Sequence, residues 1–180
     1  TCSDMFFGSR NNLIKPGLST SMADGWETRR RRGPGNDWAI VRLAAAGTIE
    51  RVEIDTTHFK GNAPGRATIE GVHAPGVPAA QLTGWRPLLA TFLQPHRRHV
   101  FDADLRRIGL VTHLRLSVFP DGGVARLRAW GLLSPEPAAG LAALNAMSAD
   151  DANAALRRCC GSTKWSDAMT AARVFEDAAA

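Results

Sequence analysis

Short apolar runs recur along the first 135 residues, and turn residues separate them. The runs are AIVRL (39–43), IERVEID (49–55), ATIEGV (67–72), PLLATFL (87–93), VTHLRLSVF (111–119) and ARLRAWG (125–131). Runs of this length bounded by Gly and Pro are typical of β-strands, and helical periodicity is limited to one short turn at DADLRRIG (102–109). The pattern predicts an all-β fold, either a sandwich or a barrel.

Two of these runs alternate apolar and polar residues, which predicts the face that each side chain occupies. Val52 and Ile54 are expected in the core, with Glu53 and Asp55 facing outward, because successive side chains of a strand point to opposite faces. The later run has Leu114, Leu116 and Val118 inward and His113, Arg115 and Ser117 outward.

The segment Pro120-Asp-Gly-Gly123 is a strong turn signal between two runs, and it predicts a hairpin. In the register that pairs Phe119 with Val124, Arg115 lies opposite Arg128, and Arg126 lies opposite Ser117. Like charges facing each other across two strands repel. We therefore expect Glu53, Asp55 or a bound anion beside these arginines.

The composition changes after residue 133, which divides the chain into three parts. Residues 1–133 form the predicted β domain, 134–140 (SPEPAAG) a linker, and 141–180 a two-helix tail. Ser148 is expected to begin the first helix, which would end near Gly161. A second helix from Ser162 would present its apolar residues Trp165, Met169 and Ala172 on one face.

The totals are those of a globular protein, with 44% hydrophobic and 22% charged residues and a net charge of +5. No apolar run approaches the roughly 20 residues of a membrane helix, so a membrane location is not expected. The cysteines, Cys2, Cys159 and Cys160, form no spaced framework, which indicates a reducing cytoplasm.

Four consecutive arginines, residues 29–32, stand between two tryptophans. In an extended chain Arg29 and Arg31 point to one side and Arg30 and Arg32 to the other. Two interpretations stay open: the guanidinium groups bind an external anion, or they pair with structural carboxylates such as Glu27 or Asp37. Nucleic acid is not the expected anion, because the neighbouring tryptophans lie between glycine turns rather than on an exposed stacking face.

A second polar segment, DTTHFKGN (55–62), follows a well-patterned strand. It offers a carboxylate from Asp55, an imidazole from His58, an ammonium from Lys60 and an amide from Asn62. That mixture suits binding a small polar anion and activating a water molecule. The alternative is a capped strand end. A metal site at the third polar segment, His96-Arg-Arg-His99, is not predicted, because the sequence supplies no further ligands for it.

These stretches together resemble the allantoicase family, on the words SDMFFGSRNNLIKPG, MADGWETRRRRGPGNDWAIVRL, GTIERVEIDTTHFKGN, LQPHRRHVF and THLRLSVFPDGGVARLRAWG. The resemblance implies a jelly-roll β-sandwich similar to galactose-binding domains. It also implies hydrolysis of allantoate to ureidoglycolate and urea, a step of purine breakdown. Family enzymes carry two tandem copies of this domain, and the present one is most similar to the second. The tail from residue 144 resembles the opening helices of 2-oxo-4-hydroxy-4-carboxy-5-ureidoimidazoline decarboxylase.

The resemblance and the residues together suggest roles. Allantoate carries one carboxylate and two ureido groups on a single carbon, so arginines are expected at the carboxylate and hydrogen-bonding groups at the ureido groups. The candidate catalytic residues are His58, Asp55 and Lys60. The candidate substrate-binding residues are Trp26, Glu27, Arg29, Arg31, Asn62, Arg115, Arg126 and Arg128.

No cofactor is certain, although a divalent metal remains an alternative activator of water. The partner expected besides allantoate is a second allantoicase repeat or further copies of the chain in a homo-oligomer. The competing hypothesis is a non-catalytic ureide-binding or assembly domain, because domains of this shape often only bind ligands.

Overall fold

The computed structural model describes residues 1–134, 136–159 and 163–175, and the chain divides into two compact units, Thr1–Leu133 and Ser134–Ala180. The described part of the first unit contains nine strands and three 3₁₀-helical turns. The strands are β1 (Trp26–Glu27), β2 (Asp37–Gly47), β3 (Arg51–Asp55), β4 (Arg66–Val72), β5 (Arg86–Phe92), β6 (Arg98–Phe101), β7 (Val111–Phe119), β8 (Gly123–Val124) and β9 (Arg126–Trp130). The turns are Arg10–Ile14, Met22–Asp24 and Ala79–Gln81.

Two antiparallel sheets face each other across one core, as the predicted jelly-roll sandwich requires. The four-stranded sheet has the order β2-β7-β4-β5 and the three-stranded sheet the order β6-β3-β9, while β1 and β8 form a separate two-stranded sheet. Val52 and Ile54 of β3 are fully buried in the same cluster as Leu114, Leu116 and Val118 of β7. The inward half of the predicted alternation is therefore confirmed.

Most residues predicted to face outward are nevertheless buried: Glu53 and Asp55 of β3 are 2% and 1% exposed, and His113 and Ser117 of β7 are 4% and 7% exposed. For β3 the physical reason is that residues 10–24 lie over the outer face of the three-stranded sheet. Arg126 and Arg128, on the neighbouring strand β9, donate to backbone carbonyls of residues 15–24. Alternation assigns a face to each side chain, but it does not say whether another segment covers that face.

The predicted hairpin between β7 and β9 is also wrong. Strand β7 pairs with β2 and β4, whereas β9 pairs with β3 in the other sheet. The intervening residues bind the loop after β1: Asp121 accepts from the backbone N–H of Arg31 at 2.6 Å, and Gly122 exchanges hydrogen bonds with Thr28. Arg115 therefore does not oppose Arg128.

Local corrections concern the shortest elements. The strands β1 and β8 have two residues each and were not predicted. Residues 102–109, predicted as a short helical turn, form only one reverse turn, in which the Leu105 N–H donates to the Asp102 carbonyl at 3.2 Å.

The first eight residues are built into the sandwich. Cys2 forms an isolated antiparallel β-bridge with Ala39 of β2, and Gly8 forms one with Glu27 of β1. Ser3 exchanges hydrogen bonds with Trp38 and donates to the Asp37 carboxylate at 3.0 Å. This segment thus extends two separate strand edges of the first unit.

The described residues of the second unit form three helices, α1 (Glu136–Ala146), α2 (Ala149–Cys159) and α3 (Thr163–Ala171), where two were predicted. The additional helix, α1, includes residues 136–140 of the predicted linker. Proline is compatible with the first turn of a helix, because the N–H that it lacks has no partner there. Ser148 caps α2 as predicted, accepting from the Asp151 N–H at 3.1 Å. The predicted break at Gly161 and Ser162 lies outside the described residues.

The buried side of α3 differs from the predicted apolar face. Ser166 is fully buried, and Asn153 of α2 donates to Asp167 and Thr170. Trp165 is 38% exposed. Polar contacts therefore contribute to the packing of α2 against α3.

Candidate functional site

The arginine run is largely occupied by structural carboxylates on one side. Arg29 pairs with Asp4 at 3.1 Å, and Arg31 pairs with Asp37 at 2.7 Å. The structural interpretation is confirmed for these two arginines, although the second acid is Asp4 rather than Glu27. Burial acts to raise the pKa of Asp4, but hydrogen bonds from the Arg29 backbone and side chain outweigh it and lower the pKa.

The other two arginines, Arg30 and Arg32, are exposed, as is Arg29. They line an open cavity of about 400 Å³ together with Ser3, Asp4, Arg29, Arg31, Gly33 and Asp37. Two of the four arginines that line this cavity are already paired with its acids, Asp4 and Asp37.

Trp26, a candidate for substrate contact, is instead fully buried in the core. Its indole N–H donates to the backbone carbonyl of Asp4 at 2.8 Å. Arg115, another candidate, lies on the four-stranded sheet, where it pairs with Glu70 at 2.7 Å and covers the Trp85 ring. The Trp26 ring is therefore not exposed to a ligand, and Arg115 lies in a different sheet from Asp55.

Asp55 ends β3 and shapes the turn that follows. Its Oδ1 accepts from the Thr57 backbone N–H at 2.8 Å, whereas Oδ2 is buried without a hydrogen-bond partner. Phe59 is fully buried, and its ring packs so closely on Gly123 that a Cβ there would lie 1.9 Å from a ring atom. Asp55 and Phe59 thus anchor the loop that carries His58, Lys60 and Asn62.

Glu27 and Asn62 form the clearest polar pair of this region. The amide of Asn62 donates a short hydrogen bond to Oε1 of Glu27, and both residues are only partly buried. The same amide lies 3.4 Å from the sulfur of Met22, which is exposed. Lys60 is exposed on the same loop. Glu27 of β1 therefore supplies a carboxylate to the Asn62 amide, and the Lys60 ammonium lies two residues before that amide on the loop.

His58 is held in an unusual conformation. Its φ is +74°, in the left-handed region that non-glycine residues rarely occupy and that is enriched at functional sites. The His58 backbone N–H donates to Nδ1 of His96 at 2.9 Å, and His96 is itself left-handed at φ +53°. His58 Nε2 lies 2.9 Å from the Ser19 carbonyl. Because a carbonyl only accepts, Nε2 carries the proton, and neutral His58 keeps a lone pair on Nδ1.

Residues 15–24, which we call the strap, contact both His58 and the arginines of β9. Arg126 donates to the Asp24 carboxylate at 2.6 Å and to the carbonyls of Gly17, Leu18 and Asp24, and Arg128 donates to the carbonyls of Lys15 and Gly17. Both arginines were candidates for substrate binding. The strap itself was not predicted, because backbone carbonyls are the same acceptors in every residue type and leave no sequence pattern.

The strap depends on an ionised Asp24. Hydrogen bonds from Lys15 and Arg126 hold the pKa of Asp24 well below its ordinary 3.8. Because the pKa of Asp24 is lower in the folded state than in the unfolded state, its ionised carboxylate stabilises the fold fully above about pH 3.8. This stabilisation is lost as the pH falls through the pKa of the folded state. We therefore expect the stability difference between wild type and Asp24→Asn to be constant near neutral pH and to narrow below about pH 4.

Urea unfolding midpoints at steps from pH 6 to pH 2 measure this effect. Asp104→Asn, which changes an exposed aspartate, is the matched control and should track wild type throughout. A gap between wild type and Asp24→Asn that does not change with pH would contradict the assignment.

The part of the chain with described residues contains no group of three or more His, Cys, Asp or Glu side chains arranged to hold a metal ion. The ring nitrogens of His99 contact the backbone of Gln94 and Ile54, and Nδ1 of His96 binds His58. No helix in the described ranges is both long and apolar enough to cross a membrane.

Residues 1–134 match the family model described as an allantoicase repeat. The chain is 52% identical over 132 residues to a probable allantoicase 1 of Burkholderia mallei, covering 71% of this chain and 39% of that protein. It is 48% identical over 138 residues to a probable allantoicase of Pseudomonas fluorescens strain SBW25, covering 74% of this chain and 42% of the relative. The chain thus spans about two fifths of the length of these relatives.

Solved structures agree with this similarity. An allantoicase from Saccharomyces cerevisiae superposes with a TM-score of 0.64 at 39% identity, covering 73% of this chain and 39% of the other. A chitosan-binding module from a chitosanase/glucanase of Paenibacillus sp. IK-5 superposes with a TM-score of 0.54 at 18% identity, covering 73% and 92%. The second similarity concerns the jelly-roll fold alone.

Proposed function

Because the chain belongs to the allantoicase repeat family, we propose that it forms part of an allantoicase that hydrolyses allantoate to ureidoglycolate and urea. In this reaction the bond between the central carbon and one ureido nitrogen breaks. The hydroxyl of water attaches to the carbon, and the remaining proton of water ends on the departing urea. The reaction therefore needs a base for water, a proton for the leaving nitrogen and contacts that orient the substrate.

The observation that carries the proposal is the 2.9 Å contact between Nε2 of His58 and the Ser19 carbonyl, which assigns the proton to Nε2. With Nε2–H directed to the Ser19 carbonyl, Nδ1 accepts the proton of water and then delivers it to the leaving nitrogen. The Ser19 carbonyl stabilises the imidazolium that forms between these steps. Asp55, the other candidate base, is buried and caps the turn, so we assign it a supporting role.

The neighbouring side chains suit the ends of the substrate. The carboxylate of Glu27, oriented by Asn62, accepts ureido N–H groups, and the Lys60 ammonium attracts the substrate carboxylate. Arg126 and Arg128 are occupied by the strap, so we no longer assign them to the carboxylate. Arg30 and Arg32, rather than the paired Arg29 and Arg31, offer guanidinium groups to an anion.

Urea release from allantoate by the purified chain, with and without added divalent metal, tests the proposal. We expect His58→Asn to lower turnover by roughly 100-fold or more, as loss of a general base does. Asparagine is chosen because it tolerates a positive φ better than alanine does. An active wild type whose His58→Asn variant keeps near-normal turnover would remove His58 from the mechanism. An intact chain that binds allantoate without releasing urea would favour the competing ureide-binding function.

We also propose a wider setting for this domain. The two-fifths coverage of its relatives, and exposed apolar side chains such as Phe7, Leu18 and Phe92, support pairing with a second repeat or with further copies of the chain. The assignment as the second repeat, and of the helical unit as the opening of a decarboxylase-like domain, rests on the sequence resemblance. The free thiol of Cys2 is in keeping with a cytoplasmic location. Sedimentation of the purified chain tests the pairing.

A further inference from the structure

We propose that Arg126 is a positioning residue: by holding the strap against β9, it places the Ser19 carbonyl so that the imidazole of His58 stays in one tautomer. This inference rests on the proposed function, because it assigns a second residue to the same site. It replaces the substrate-binding role expected for Arg126 from its sequence context.

The first support is the way in which Arg126 is used. The residue is 1% exposed, and its guanidinium donates to Asp24 Oδ2 at 2.6 Å, to the Asp24 carbonyl at 2.5 Å, and to the carbonyls of Gly17 and Leu18 at 3.3 and 3.4 Å. Its remaining contact is the carbonyl of Ala125 beside it. A planar fork with five N–H donors suits this convergence of acceptors, and an ammonium does not.

The second support is the position of Ser19 within the strap. Ser19 is 7% exposed and lies between two stretches that Arg126 holds, residues 17–18 on one side and Asp24 on the other. Its hydroxyl donates to the Ser21 carbonyl at 2.8 Å, and the Thr20 N–H contacts the Asp24 carboxylate at 3.4 Å. The orientation of the Ser19 carbonyl is therefore fixed from both ends.

The third support is that the His58 ring depends on this carbonyl. The backbone of His58 is fixed by the His96 ring, and the next residue, Phe59, is buried under the loop. These contacts set the direction of the side chain but do not distinguish its two ring nitrogens. The contact of 2.9 Å between Nε2 and the Ser19 carbonyl does. In metal sites, a partner that orients a ligating histidine contributes about 10- to 100-fold to activity, and we expect an effect of the same order here.

Nitrogen-15 NMR of the histidine rings, combined with allantoate kinetics, tests the inference on the full chain. In the wild type we expect His58 to show a single Nε2–H tautomer. In Arg126→Gln we expect a mixture of tautomers and a kcat lower by about 10- to 100-fold, with KM changed less than about threefold. Relative to Arg126→Gln, Arg126→Lys should restore part of the Nε2–H tautomer population and part of kcat, because it keeps the charge beside Asp24. Arg107→Gln, which alters an exposed arginine elsewhere, should behave as wild type.

The outcomes separate the two proposals. A wild type that releases no urea contradicts the proposed function, whereas the NMR spectra still decide the role of Arg126. A folded Arg126→Gln variant that keeps one His58 tautomer and an unchanged kcat would overturn the inference. If Arg126→Gln does not fold, Asp24→Asn decides, because it removes the carboxylate that pairs with Arg126 and Lys15, and the Asp24 side chain is 20% exposed. In that variant an unaltered tautomer and kcat overturn the inference, and a mixture of tautomers with a lower kcat supports it.

Discussion

Replacing Glu27 by glutamine should lower allantoate turnover by roughly 100-fold, the largest effect on activity that we expect outside His58. The Glu27 carboxylate already accepts from Asn62 through Oε1, and its second oxygen is available to ureido N–H donors. An amide has one acceptor oxygen and presents N–H groups where the carboxylate accepted, so substrate and side chain would both offer donors. The loss of a charge-assisted hydrogen bond costs about 3 kcal/mol at most, which corresponds to this factor.

Steady-state urea release measures the change, and Glu50→Gln, at an exposed glutamate elsewhere on the surface, is the matched control. The unfolding midpoint of Glu27→Gln should remain close to that of wild type, because the substitution keeps the size of the side chain. Turnover within about threefold of wild type would show that Glu27 does not contact the substrate in the transition state.

The largest loss of stability is expected from Gly131→Ala. Gly131 follows β9, where Thr48 and Leu132 share a backbone hydrogen bond of 2.8 Å. A Cβ on Gly131 would lie 1.7 Å from the Thr48 carbonyl oxygen and 2.7 Å from its carbonyl carbon. Both atoms belong to the backbone, so relief requires separating two paired segments. Overpacking of this kind costs about 3 kcal/mol in the free energy of unfolding.

Urea unfolding of Gly131→Ala beside Gly65→Ala measures this cost. Gly65 belongs to the same domain and lies just before β4, at an exposed position. A Cβ there meets nothing within 4 Å, so Gly65→Ala should unfold near the wild-type midpoint. Equal midpoints for the two variants would mean that the segments at Thr48 and Gly131 separate easily. The close approach would then be dispensable.

The strand content of the fold could be predicted because it depends on local pattern. The alternation in residues 111–119 identifies β7 and its inward leucines without reference to any other strand. The partner of β7 could not be predicted in the same way. Pro120–Gly123 has the residues of a tight turn, but its contacts are with Thr28 and Arg31, about 90 residues earlier in the chain. Turn chemistry is local, whereas the choice of sheet is decided by such distant contacts.

For the candidate site, too, local features could be predicted and distant contacts could not. His58, Lys60 and Asn62 were found because they lie on one short loop, and Glu27 because it adjoins the arginine run. Their environment was not found: the burial of Asp55 and the use of Arg126 both follow from the strap, which covers a face that alternation alone leaves open. Charge alone suggested that these arginines bind substrate. The sequence does not distinguish an arginine that binds a ligand from one that binds backbone carbonyls.

The built-in position of the first eight residues limits how the domain can be shortened. A chain that begins at residue 9 would leave the indole N–H of Trp26 without its acceptor in a fully buried place, and Arg29 without its carboxylate. It would also uncover the edge of β2 at Ala39, and bare strand edges recruit other chains. Truncation from this side should therefore yield aggregates rather than a smaller folded domain. Affinity tags and fusion partners need a linker ahead of Thr1 that leaves this edge pairing intact.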